Sequence, residues 1–96
     1  MVKQEYKDKI LKLIEEFLPE AKVYLYGSRA IDKETWASDI DVAIDNKKIV
    51  ARKIFGEMLE KVEDLNVPLK IDLIDIYDIP SDFLDRIKKE WVVWKD

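Results

Sequence analysis

Lys22-Val23-Tyr24-Leu25-Tyr26-Gly27-Ser28-Arg29-Ala30, followed by Ser38-Asp39-Ile40-Asp41-Val42-Ala43-Ile44, reads as two strands joined by a bend and a polar connection. Residues 22 to 26 are β-branched, aromatic or apolar, as a short strand requires, and Gly27 ends it. Residues 39 to 44 alternate acidic or small side chains with Ile40, Val42 and Ile44, the pattern of a half-buried strand. Side chains at i and i+2 point to one face, so Asp39 and Asp41 are expected to project together while Ile40 and Val42 turn into the core. Two carboxylates about 7 Å apart repel each other and gain little from burial. A divalent cation between them reverses that sign.

Working outward, residues 3 to 18 place Tyr6, Ile10, Leu13, Ile14, Phe17 and Leu18 at three- and four-residue spacing, which predicts an amphipathic helix stopped by Pro19. The interval Arg29 to Ser38 is expected to hold a helical turn and a loop. A second helix is predicted over 47 to 65, capped by Asp45 or Asn46, with Val50, Ile54, Phe55, Met58, Leu59 and Val62 on its buried face. Leu69 to Ile76 reads as a third strand. Ser81 or Asp82 is expected to cap a last helix running to Trp91, and Val92-Val93-Trp94 to form a short final strand. The order α-β-(turn)-β-α-β-α predicts one α/β (α+β) domain over 1–96: a small mixed sheet of three to four strands with helices packed against it.

Asp72 interrupts the third predicted strand, where a lone carboxylate among Leu69, Ile71, Leu73, Ile74 and Ile76 would be costly. If this strand lies beside the second, Asp72 falls on the face that carries Asp39 and Asp41. Three converging acids suit phosphoryl or nucleotidyl transfer: two hold metal, and the third helps bind the catalytic metal and lower the pKa of an attacking hydroxyl. Asp75 and Asp78 lie near enough in the chain to remain alternatives for the third acid. Gly27 lets the backbone approach a ligand or take positive φ, and Ser28 offers a hydroxyl and N–H groups to phosphate at the start of a helical turn. Arg29 either adds a charge-assisted phosphate contact or forms a surface ion pair worth little. Trp36 has three readings: stacking on a base, touching a partner, or packing over the first helix. Tyr24, Tyr26, Trp91 and Trp94 read as core or covering residues, and Lys88-Lys89-Glu90 as a solvated helix face.

Composition narrows the chemistry. The 96 residues contain no His and no Cys, so proton transfer or metal binding falls to carboxylates, Lys, Tyr or water, which favours hard cations such as Mg²⁺. The lack of Cys fits a reducing, cytoplasmic setting. There are 17 basic and 21 acidic residues, net −4, with no basic block, which disfavours direct nucleic-acid binding. No apolar run approaches the ~18 residues of a membrane span, and the N-terminus has no signal-like apolar stretch.

Gly27-Ser28, ten residues, then Asp39-x-Asp41 resembles the G-S-x10-D-x-D signature of the DNA polymerase beta-like nucleotidyltransferase superfamily. Four fixed positions at this spacing arise by chance in roughly one chain in a thousand of this length. The short length resembles the minimal nucleotidyltransferase (MNT) group, and the likeness covers essentially the whole chain. It implies a nucleoside triphosphate, ATP favoured, and Mg²⁺, two ions, with Mn²⁺ able to substitute. It also implies that Gly27 and Ser28 bind phosphate, that Asp39 and Asp41 bind metal, and that Asp72 is the third acid. Many relatives have a second Gly shortly after the Gly-Ser-x-Ala segment, where this chain has Ile31-Asp32, which leaves the loop conformation open. So small a chain leaves the site half open. The resemblance agrees in implying a small helical partner of the HEPN or substrate-binding type, often as toxin and antitoxin, with adenylylation of a partner tyrosine in some pairs. The competing expectations are a subunit that neutralises its partner by contact, and a nucleotide sensor without transfer.

Overall fold

The computed structural model describes all of residues 1–96. The elements are α1 (Gln4–Phe17), β1 (Lys22–Tyr26), β2 (Ile40–Asp45), α2 (Arg52–Glu63), β3 (Ile71–Asp75), α3 (Ser81–Lys88) and β4 (Val92–Lys95). They form one mixed sheet in the order β3-β2-β1-β4. β1 runs antiparallel to both β2 and β4, whereas β2 and β3 are parallel. A parallel pair needs a crossover, and α2 supplies it. No helix is long and apolar enough to cross a membrane.

The two sheet faces bury different things. Val23, Leu25, Ile40, Val42, Ile44 and Leu73 form one core with Ile10, Leu13 and Ile14 of α1 and Met58 and Val62 of α2. Tyr24, Tyr26 and Ala43 face the other way and pack with Ile87, Phe83 and Leu84 of α3. Trp91 stacks flat on Tyr24, with ring centroids 3.9 Å apart and planes within 8°. Ile10, Ile14, Leu25, Ile40, Ile44 and Met58 are fully buried, and each buried side chain of this size stabilises the fold by about 1.5–3 kcal/mol. A slip of one residue in β2 would forfeit several such contributions at once, so the core locks the register that orients the acids on the opposite face.

Several sequence expectations need correction at the element ends. α2 begins at Arg52, not 47, and neither Asp45 nor Asn46 caps it; its N-cap is Ala51, with no side-chain cap. Asp45 instead accepts the Lys47 N–H at 2.8 Å, a turn in which Lys47 takes φ 67°. The buried face of α2 is narrower than its periodicity suggests: Ile54 and Leu59 are exposed. The turn and loop expected between Arg29 and Ser38 are present, as hydrogen-bonded turns over 28–32 and an irregular stretch after them. Ser81 and Asp82 lie inside α3, whose N-cap is Pro80, and the helix ends at Lys88, before Trp91. Trp36 does not pack over α1; it is 89% exposed.

Asp75 has the opposite parity to Asp72 and enters the core side of the sheet, paired with Ile44. It is buried and accepts the Val50 N–H at 2.7 Å and the Tyr77 N–H at 2.9 Å. It therefore ties the approach to α2 and the turn after β3 to the sheet. Asp75→Ala leaves two inward-facing donors without an acceptor, and should lower unfolding stability by about 2–4 kcal/mol in urea titration. Asp75→Asn, which keeps one acceptor oxygen, should cost less.

Candidate functional site

Beyond the last residue of β1 the chain turns sharply. Gly27 has φ 77°, a left-handed conformation that side chains with a Cβ adopt reluctantly. A Cβ at this position would also collide with Asp41 Oδ2 and come within 3.2 Å of Asp41 Cγ. Glycine is thus needed twice over, for conformation and for room beside a carboxylate. The following turns are closed by Ala30 N–H to Gly27 O at 3.0 Å and Lys33 N–H to Ser28 O at 2.9 Å. The backbone N–H groups of Ser28 and Arg29 donate to nothing within the protein. Within the Ile31-Asp32 pair, Asp32 takes φ 56°. Aspartate is among the few residues that tolerate this region, so the loop is reached without the second glycine.

Arg29 does not lie free for a phosphate. It is 7% exposed, and its guanidinium donates to the Ser38 carbonyl from Nε (3.0 Å) and Nη2 (2.9 Å) and to the Met1 carbonyl from Nη1 (3.0 Å). Longer contacts reach the carbonyls of Thr35 and Trp36. A buried cation on backbone carbonyls holds the 29–38 connection in shape and so fixes how the chain enters β2.

The parallel register sets Asp41 directly opposite Asp72. Both lie on the face shared with Tyr26, which is the cross-strand partner of Asp41. The Tyr26 hydroxyl donates to Asp72 Oδ2 at 3.4 Å. Asp39 sits one residue ahead of β2 and is exposed. The expectation that all three acids gather within ligand reach of one another is not met: no group of three carboxylates is spaced to hold one ion. The close pair is Asp41 and Asp72, with Asp39 at its rim.

These groups act on one another electrostatically. Burial, then Asp72, then Asp39 push the Asp41 carboxyl up to about 6, against smaller opposing pulls from Lys70 and Arg29. Burial, then Asp41 and Asp72, raise the Tyr26 phenol well above its ordinary value. Tyr26 and Lys70 are the site neighbours that sequence reading missed. The parity of Tyr26 beside Gly27 was the available signal; for Lys70 it was its place two residues before Asp72.

Carboxylates beside a bend of unpaired N–H groups are the parts of a site for a phosphate ester and a hard cation. A family model described as Polymerase beta, Nucleotidyltransferase matches residues 8–95, and the chain belongs to this family. It is 26% identical over 92 residues to a probable protein adenylyltransferase MntA of Haemophilus influenzae, covering 96% of this chain and 81% of the relative. The fold matches a toxin–antitoxin crystal structure with AMP-PNP at a TM-score of 0.77 and 21% identity, over 92% of this chain and 71% of that one. It also matches a complex of tri-AMPylated Shewanella oneidensis HEPN toxin with MNT antitoxin, at a TM-score of 0.73 and 21% identity, over 97% and 71% of the two chains.

Two measurements probe the geometry. Gly27→Ala should cost about 1–3 kcal/mol in denaturant unfolding, from the positive φ and the collision with Asp41. For Asp41, the folded-state pKa near 6 lies above the unfolded 3.8, so the folded form binds the extra proton and stability falls as pH rises from about 4 to 6. Asp41→Asn removes that penalty. Allowing for solvent screening of a half-buried group, it should stabilise the metal-free protein by about 1 kcal/mol at pH 7–8, and by nothing near pH 4.

Proposed function

We propose that the chain is a Mg²⁺-dependent nucleotidyltransferase that moves AMP from ATP to an acceptor hydroxyl, a tyrosine of a small helical HEPN-type partner. The observation that carries this reading is the Asp41–Asp72 pair set in register beside the Gly27-Ser28 bend. The likeness to a probable protein adenylyltransferase and to a fold seen with an AMPylated HEPN toxin supports the choice of donor and acceptor.

The donor set fits a hard divalent cation. Every candidate ligand is a carboxylate oxygen, and a cation offsets the negative charge of Asp72 and Asp39 that, after burial, raises the Asp41 pKa. Mg²⁺ is commonly held by one or two carboxylates plus substrate phosphates, so the spread of the three acids is compatible with it. Asp39, Asp41 and Asp72 would hold the ions, and Mn²⁺ would serve in place of Mg²⁺. When bound, the cation supplies charge neutralisation of the polyphosphate and acidification of the acceptor hydroxyl.

The residues of the chain then have distinct tasks. Ser28 and the bend N–H groups hold the β- and γ-phosphates, and Arg29 keeps the loop in place from beneath. The acceptor oxygen forms a bond to the α-phosphorus while the bond from that phosphorus to the α,β-bridging oxygen breaks. Pyrophosphate leaves, and the hydroxyl proton passes to Asp72 and on to water. Tyr26, donating to Oδ2 of Asp72, keeps that carboxylate oriented and leaves Oδ1 for the acceptor.

Incubation of the co-expressed partner with labelled ATP and Mg²⁺ should add AMP to the partner, seen as label and as a mass gain. Asp39→Ala and Asp41→Ala should each reduce it at least a hundredfold. An unmodified partner that still binds both variants as tightly as wild type would make the chain a contact inhibitor. NTP binding without turnover would make it a sensor. Millimolar Mg²⁺ should also raise Tm, because only the folded state holds the ion, and Asp39→Asn should blunt that rise.

A further inference from the structure

With Arg29 turned onto loop carbonyls, the bend lacks the cation that its sequence seemed to provide. A groove of about 220 Å³ opens beside it, lined by Tyr26, Gly27, Phe83, Arg86, Ile87 and Glu90. Ligand sites for whole small molecules run to roughly 300–1,000 Å³, so this groove takes part of a nucleotide. Arg86 is its one cationic lining residue. It is exposed, takes part in no ion pair, and its guanidinium carbon lies 5.1 Å from the centre of the Phe83 ring. Phe83 in turn meets Tyr26 edge-on at 6.1 Å, and Tyr26 reaches Asp72. The cation therefore lies over Phe83, whose ring meets the tyrosine that reaches the acid site.

We infer that Arg86 binds the polyphosphate of the nucleoside triphosphate, an inference that rests on the nucleotidyl-transfer reading above. Two features select phosphate over base. Gly27 lines the groove, and the N–H groups of Ser28 and Arg29 next to it have no partner within the protein. A planar guanidinium in a groove bordered by Gly27, with free backbone donors on the next two residues of the chain, matches the fork of phosphate oxygens. Glu90, at the same groove, bears the charge that opposes such a ligand.

Calorimetric titration of the full chain in Mg²⁺ with ATP, GTP, CTP and inorganic pyrophosphate tests this. Arg86→Gln should weaken all four by about tenfold, with Arg86→Lys between it and wild type and an unchanged circular dichroism spectrum. Glu90→Gln should tighten pyrophosphate binding two- to threefold. Wild-type pyrophosphate affinity in Arg86→Gln, with or without a loss confined to one base, would overturn the assignment while leaving nucleotidyl transfer intact. A wild-type chain that binds none of the four at millimolar concentration would overturn both.

Discussion

Parallel pairing between β2 and β3 is the constraint on which the site depends. It sets Asp41 opposite Asp72, two carboxylates that would separate in water and are held together only because their strands are. The stabilisation that enforces this lies on the other side of the sheet, where Ile40, Val42, Ile44 and Leu73 are buried against α1 and α2. Each strand thus carries a penalty on one face and a larger gain on the other. Alternation along the strands keeps the two from mixing, so a polar centre is built without a hole in the core.

The acids of this small chain divide into two kinds of work. Asp75 is enclosed by backbone N–H donors from Val50 and Tyr77 and serves the fold. Asp41 is short of donors, and burial first, then its crowding by Asp72 and Asp39, leaves its carboxyl at about 6. A carboxylate satisfied by amides has no need of a ligand, whereas one held among like charges gains from any cation that reaches it. Arg29 makes a parallel case among the bases. Burial on the carbonyls of the 29–38 connection makes it a structural cation, which shifts the electropositive contribution at the bend toward α3, where Arg86 stands free of ion pairs.

The same division runs through the aromatic residues. Tyr24 with Trp91 closes the second face two residues along β1 from the acids, and Tyr26 with Phe83 closes it next to them. α3 therefore does more than cover the sheet. Its Phe83 and Arg86 form one wall of the groove beside Gly27, so the helix links the packing of the second face to the entrance of the site.

Strand parity, the Gly27-Ser28 and Asp39-x-Asp41 spacing and the placement of Asp72 were all legible in the sequence, because they depend on periodicity and on residue types with few alternative uses. The helix starts were less so. Asp45 could cap a helix or close a turn; in the fold it closes the turn, and the buried Asp75 reaches across to Val50 ahead of the helix. Linear order likewise cannot say which cation faces the bend. Arg29 is adjacent in the chain, yet tertiary packing draws it under the loop, while Arg86 arrives from a helix nearly sixty residues away. Local rules thus placed Asp41 and Asp72 on one face. Long-range burial and hydrogen bonding decided which charges are left over to meet a ligand, since an ion is committed by whichever partners the folded chain brings nearest.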